Sequence, residues 1–264
     1  MIYLHGTPGS RVGPFPRGQV LYELGVRLIS FDRPGYGGSD RRPGRNVANV
    51  AQDVEAIADH LGLDTFAVVG RSGGGPHALA CAALLPGRVT RAGVLVSLAP
   101  WGAEGLDWFA GMTVSNVREF TTAASEPELL IASLARIADM IKADPTSHVS
   151  TLGPEMPEAD RRVMADTGIR SLLAKNFAEA LRDSADGWVD DNLAFCVPWG
   201  FNLSDIHVPV LLWHGENDVF SPAAHTRWLA GRIQGAELWV SPDAAHFGAL
   251  EVVPDVLSWL IRRN

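Results

Sequence analysis

Residues 70–75 read GRSGGG, one serine among four glycines, directly after the apolar run FAVV (66–69). The stretch contains G-x-S-x-G, with Gly70, Ser72 and Gly74 at the fixed positions. A serine hydroxyl is a poor attacker at neutral pH and needs both a mount and a base. A sharp strand-to-helix turn supplies the mount, holding the serine in a strained backbone conformation with its hydroxyl exposed. Glycine two residues to either side lets strand and helix approach without a Cβ clash. Pro76 falls in the first helical turn, where a missing N–H is tolerated. Two other uses of a glycine loop fail on spacing. A phosphate loop needs G-x-x-x-x-G-K-[ST], and no lysine is near; a dinucleotide fingerprint needs G-x-G-x-x-G, which GRSGGG breaks at its third position.

A base and its orienting acid are available elsewhere in the chain. LLWHGENDVF (211–220) places Asp218 just after a predicted strand, and SPDAAHFGAL (241–250) places His246 in the loop after the last one. In an open parallel sheet the C-terminal strand ends share one edge, where ligands bind. Ser72, Asp218 and His246 are therefore expected on that edge. Neighbouring candidates have plainer readings. Glu216 and Asp243 read as solvated loop charges, His5 and His214 as structural residues before strand-end glycines, and His77 as a packed, hydrogen-bonded histidine. Arg71 reads as a side chain anchored by loop carboxylates.

Six short apolar runs must position these residues: IYL (2–4), VRLISF (26–31), FAVV, AGVLVSL (92–98), VPVLLW (208–213) and AELWV (236–240). Continuous rather than alternating hydrophobicity fits strands buried on both faces, as in a parallel sheet. Between them, apolar residues at 47, 50, 54, 57, 58 and 61 form a helical stripe that ends at Gly62. Residues 249–262 make a similar terminal helix. The alternation predicts an α/β fold with a mostly parallel central sheet flanked by helices. Residues 100–204 break the rhythm, with helical stretches at 126–142 and 155–183 and no convincing strand. The expected organisation is a core from residues 1–99 and 205–264 with a helical insertion over 100–204.

Composition narrows the function classes. Hydrophobic residues make up 47% and charged residues 20% of 264, ordinary for a soluble globular protein. No apolar stretch reaches the roughly 18 residues of a membrane span, and MIYLHGTPGS does not read as a signal peptide. Net charge is −8 without a basic run, which argues against a nucleic-acid partner. Residues 101–204 hold 16 acids against 8 bases, and the remainder 14 against 14, so the insertion carries the imbalance. Cys81 and Cys196 match no metal or redox spacing and read as buried thilols of a reducing, cytoplasmic compartment. No metal or cofactor site is expected.

Together the motifs resemble the α/β-hydrolase superfamily over nearly the whole chain. HGTPGS (5–10) is similar to the family's oxyanion loop and FDRPGYGGSD (31–40) to a common structural turn. The order Ser, Asp, His is the family's order, and the insertion sits where the family places its cap. The resemblance implies Ser72 as nucleophile, His246 as general base and then acid, and Asp218 as the group holding the imidazole tautomer. It also implies an oxyanion hole from the backbone N–H groups of Gly73 and Thr7; Pro8 cannot donate. Asp107 and Glu104 occupy a position that some relatives use for the acid. Ala245 stands where many relatives have glycine. A serine nucleophile disfavours epoxide and haloalkane hydrolases, which need a carboxylate there.

The activity this implies is cofactor-free hydrolysis of carboxylic esters or lactones of small to medium, uncharged or apolar small molecules. Trp101, Trp188 and Trp199 are the expected pocket aromatics. Alternatives are an aminopeptidase resembling the prolyl iminopeptidases, a carbon–carbon bond hydrolase, and a hydrolase-fold receptor with little turnover. Relatives usually carry two antiparallel strands before the oxyanion strand, in which this chain begins. VRLISF is therefore expected at the sheet edge of six parallel strands, covered by upstream residues, by a loop or helix of this chain, or by pairing with a second copy.

Overall fold

The computed structural model describes residues 1–262. The chain runs β1 (Ile2–Leu4), α1 (Gly18–Glu23), β2 (Ile29–Ser30), α2 (Val50–His60), β3 (Phe66–Arg71), α3 (Gly74–Leu84) and β4 (Val89–Leu95). Six helices follow with no strand between them among the described residues: α4 (Val114–Ser125), α5 (Pro127–Ala143), α6 (Ser147–Leu152), α7 (Glu158–Met164), α8 (Thr167–Ala180) and α9 (Asp186–Phe195). The chain then returns through β5 (Val210–Gly215), α10 (Ala223–Ala230), β6 (Glu237–Ser241) and α11 (Ala249–Leu260).

The six strands form one parallel sheet in the order β2-β1-β3-β4-β5-β6. VRLISF lies at one end as expected, but only Ile29 and Ser30 of it pair as a strand. The central strands β3 and β5 are buried along their whole length, which explains their unbroken apolar character. Their side chains alternate between two cores. Ile2, Leu4, Val68 and Leu212 pack with α2, α3 and α10 on one face. Tyr3, Val69, Leu95 and Trp213 pack with α11 on the other. The α2 stripe buries Val50, Val54 and Ala58, and Gly62 follows it at φ +64°, a left-handed stop that favours glycine.

The helical segment between β4 and β5 has a third core of its own. In α5 the buried residues are Leu130, Leu134, Ala138 and Ile141, one helical face, after a proline at the first turn. The helical pattern over 155–183 is divided in two, because the Asp166 carboxylate accepts from the N–H groups of Gly168 (2.7 Å) and Ile169 (3.1 Å) and starts α8 afresh. This core also takes in Tyr36, Phe220 and Phe247 from the loops at the sheet's C-terminal edge, so the helices are packed onto that edge. Cys81 is buried, whereas Cys196 is half-buried, and both are free thiols. No helix among the described residues is long and apolar enough to cross a membrane.

Candidate active site

Ser72 has φ +54°, one of two non-glycine residues with positive φ among those described. The strain follows from the turn it makes: β3 ends at Arg71 and α3 begins at Gly74. The turn is held by Ser72 N–H donating to the Leu95 carbonyl (2.8 Å) and by Gly75 N–H donating to the Ser72 carbonyl (2.8 Å). Both flanking glycines are sterically required. A Cβ on Gly70 would lie 2.1 Å from the Gly74 carbonyl oxygen, and one on Gly74 would lie 2.0 Å from that of Leu4. The G-x-S-x-G spacing is thus dictated by the close crossing of β3, α3 and β1.

Asp218 and His246 meet after β5 and β6. Asp218 Oδ1 accepts from the N–H groups of Phe220 (2.8 Å) and Ser221 (3.0 Å), which fixes the carboxylate in its own turn. Asp218 Oδ2 accepts from His246 Nδ1 at 2.8 Å. His214, expected to be structural, supports the same oxygen. Its Nε2 lies 2.6 Å from the Ser221 carbonyl and 3.1 Å from Asp218 Oδ2, so Nε2 carries the proton. Its Nδ1 is then left to accept from the Thr226 hydroxyl at 2.6 Å. Ser221 Oγ donates to the Val96 carbonyl (2.8 Å) and stands 3.4 Å from His246 Nδ1. Val96 is the second strained residue, at φ +47°. Burial alone pushes the Asp218 carboxyl up, but His246 and His214 outweigh it and hold the group below the ordinary carboxylate range.

Ser72 and His246 line one cavity of about 250 Å³ between the sheet edge and the helices. With Nδ1 engaged by Asp218, Nε2 is the ring nitrogen left for proton transfer. Ser72 Oγ makes no hydrogen bond to any described residue, so the expected Ser72–His246 bond is not closed here; such contacts tighten when substrate is bound. Thr7 and Gly73 line the same cavity, and no hydrogen bond among the described residues uses either backbone N–H. The two donors are therefore available beside the serine.

The loop carrying Thr7 is held from behind by a buried carboxylate on α9. Asp191 Oδ2 accepts from Thr7 Oγ1 (2.5 Å), Arg33 Nη2 (2.5 Å) and Tyr36 OH (2.8 Å), and Oδ1 forms an ion pair with Arg45 Nη2 (2.7 Å). Arg33 also donates to the carbonyls of His5 and Gly6. His77 Nδ1 donates to the Val47 carbonyl (3.2 Å) and Nε2 stands 3.4 Å from Asp191, the packed role expected for it. Burial pushes Asp191 up, and the two guanidinium groups more than reverse this, to well below the carboxylate range.

The pocket aromatics need correction. Trp188 lines the cavity, with its Nε1 donating to Glu119 (2.8 Å). Trp101 and Trp199 do not line it. Trp101 packs on Trp108 and Phe109, and Trp199 stacks on Phe201. The apolar wall is made instead by Leu98, Phe120, Ile141, Phe177, Phe195 and Phe220. Arg71 also departs from expectation. It is buried without an ion pair to a carboxylate among the described residues, its Nε and Nη1 lack partners, and it faces the Phe247 ring at 6.0 Å. Glu216 is exposed and paired with Arg227. Three contributors had no distinguishing signal in the sequence: Ser221, Glu119 and Asp160, the last buried beside the His246 loop. No cluster of His, Cys, Asp or Glu among the described residues could hold a metal.

A family model described as the alpha/beta hydrolase fold matches residues 1–251. A 2-hydroxy-6-oxononadienedioate/2-hydroxy-6-oxononatrienedioate hydrolase of Klebsiella pneumoniae is 26% identical over 262 residues, covering 95% of this chain and 82% of that one. Among solved structures, the enol-lactonase of Burkholderia xenovorans superposes with a TM-score of 0.70 at 19% identity, over 98% of this chain and 88% of that one. A thermophilic esterase of Thermogutta terrifontis gives 0.67 at 20% identity, over 98% and 86%. These structural likenesses carry the fold.

Proposed function

The chain belongs to the alpha/beta hydrolase fold family, and from that premise we propose that it is a serine hydrolase of carboxylic esters or lactones, with Ser72, His246 and Asp218 as its triad. One observation carries the reading. A strained serine and a histidine whose Nδ1 is held 2.8 Å from a buried carboxylate open into the same cavity. His246 Nε2 takes the Ser72 proton as Oγ attacks the acyl carbon. Asp218 stabilises the resulting imidazolium and fixes its tautomer. The Gly73 and Thr7 N–H groups receive the oxyanion, a contribution of about 3–4 kcal/mol for a single donor in comparable sites. His246 then protonates the leaving alcohol, and water repeats the sequence on the acyl-enzyme.

We further propose that residues 100–204 act as a cap whose helices form the far wall of the pocket. Its lining supports an uncharged, partly apolar substrate. Apolar side chains such as Leu98, Phe120, Ile141 and Phe195 line most of the cavity, while Glu119 and Glu155 bring carboxylates to it. Arg71, the cation at the lining, has Nε and Nη1 buried away from any partner. A carbon–carbon bond hydrolase is the second reading, supported by the name of the Klebsiella relative. A dioate substrate of that kind would bring two carboxylates to a wall already carrying two.

A panel of p-nitrophenyl esters, an aliphatic lactone and a vinylogous 1,5-diketone acid tests the choice. Turnover of neutral esters or lactones with kcat/KM above that of matched carboxylate-bearing esters is expected. Turnover confined to the diketone acid would replace the proposal with the second reading.

A further inference from the structure

Among the described residues, Asp160 is an acid of the inserted helices that hydrogen-bonds to the catalytic histidine's own loop. It lies in α7, is 0% exposed, and its Oδ1 accepts from the Phe247 N–H at 2.7 Å. Its Oδ2 is buried with no hydrogen-bond partner. A buried carboxylate oxygen without a donor is costly, and helix α7 could have offered an amide here at less cost. A second tie runs in parallel, Arg162 Nη2 donating to the Asp243 carbonyl at 3.0 Å. Helix α7 therefore grips the 243–247 loop at two points, one on each side of His246.

We propose that Asp160 is a positioning residue for the hydrolytic reaction: a cap carboxylate that fixes the His246 loop and whose negative charge favours the imidazolium formed when His246 accepts the Ser72 proton. This rests on the reading of Ser72 and His246 given above. Asp218 binds the ring directly; Asp160 acts through the adjacent backbone and through space. Before proton transfer the two carboxylates repel each other and the ring is neutral. After transfer the positive ring attracts both anions, so the interaction is stronger in the transition state than in the ground state.

The groups acting electrostatically on Asp160 are His246 and Asp218. On its own helix Arg161 is paired with Glu158 at 3.0 Å, and Arg162 is turned to the Asp243 carbonyl. Burial pushes the Asp160 carboxyl up to about 6, with His246 and the Phe247 N–H drawing it down and Asp218 raising it. Its charge is thus present at neutral and alkaline pH and lost in mild acid.

The test is the rate at which a fluorophosphonate phosphonylates Ser72, followed by intact mass from pH 5 to pH 9. In that step Ser72 Oγ bonds to phosphorus, fluoride leaves, and His246 takes the hydroxyl proton. Asp160→Asn keeps an oxygen for the Phe247 N–H and removes only the charge. It should react about ten-fold more slowly at pH 8, the equivalent of one pKa unit of differential stabilisation. The ratio should approach one at pH 5, where the wild-type carboxyl is itself neutral. Asp160→Ala, which also releases the Phe247 N–H, should be slower than wild type at every pH. A wild-type to Asp160→Asn ratio that is constant from pH 5 to 9 overturns the proposal, whether or not Asp160→Ala folds. No reaction in the wild type removes the serine-hydrolase reading itself, and the role of Asp160 with it.

Discussion

Asp191 and Asp218 are both fully buried carboxylates on the rim of the same sheet edge, and they are paid for by different partners. Asp191 meets two guanidinium groups, Arg33 and Arg45, at 2.5 and 2.7 Å. Asp218 meets two imidazoles, His246 at 2.8 Å and His214 at 3.1 Å. A guanidinium is charged at any accessible pH, so the first cluster is static. It pins α9 to the loop bearing Thr7, and its guanidinium groups do not exchange a proton. An imidazole can both accept and donate a proton, so the second cluster has the means to take part in a reaction cycle. The same acid can serve as a clamp or, as we propose for Asp218, as a catalytic partner according to which base the fold sets beside it.

The sharpest way to break this contrast is to remove its chemistry. Ser72→Ala and His246→Ala should each lower kcat for the best ester by about 10⁶-fold while leaving the far-ultraviolet circular dichroism and melting temperature close to wild type. Retained turnover in either would place the chemistry elsewhere. Asp218→Asn should cost less, about 10⁴-fold, because the oxyanion donors and binding remain. Asp191→Ala should show the opposite profile. It leaves Arg33 and Arg45 buried and unpaired, so chemical denaturation should report a loss of about 3–5 kcal/mol. A variant that denatures like wild type would show that the cluster does not hold the cap.

Acid should act first on the buried histidines that stand beside the two clusters. His77 and His225 are buried and drawn down to about 4. Unfolded imidazoles bind protons below about 6.5, so between these values the unfolded chain holds more protons and stability falls as pH drops. Asp160, raised to about 6, works in the other direction and offsets part of the loss. Asp191 and Asp218 are held below the carboxylate range, so their contribution persists until the pH falls below about 4, where unfolded carboxylates take up protons. The melting temperature should therefore decline from pH 6.5 toward 4 and then drop again. A flat melting temperature across pH 6.5–4 would contradict the buried neutral histidines. The smallest effect concerns long-range charge. The acidic segment 101–204, with 16 acids against 8 bases, should favour neutral over carboxylate-bearing esters in kcat/KM by a ratio that shrinks with added salt.

The elbow and the strands of the candidate site were legible in the sequence because their signals are local. The elbow is a backbone constraint, and Gly70 and Gly74 are required by crossings that any such turn must make. The strands were legible because β3 and β5 are buried on both faces. Helix α9 was not. DGWVDDNLAF reads as polar, yet Asp190, Asp191 and Asn192 are buried, satisfied by Arg41, Arg33, Arg45 and Glu119 from distant segments. Which aromatics reach the cavity was equally hidden. Trp188 and Trp199 lie eleven residues apart in one acidic insertion, and only tertiary packing sends one to the pocket and the other against Phe201. Asp160 sits in EADRRV, indistinguishable in sequence from a solvated helical acid.

The central claim is that Ser72 is the nucleophile and His246 its base. Peptide mapping by mass spectrometry after brief fluorophosphonate treatment at pH 8 tests it most directly. The account predicts one adduct, on the peptide containing Ser72, absent from Ser72→Ala and slowed at least a thousand-fold in His246→Ala (roughly the contribution of general-base catalysis within such a triad). An adduct on Ser221 or any other residue, or equal labelling of Ser72 in His246→Ala, would contradict it.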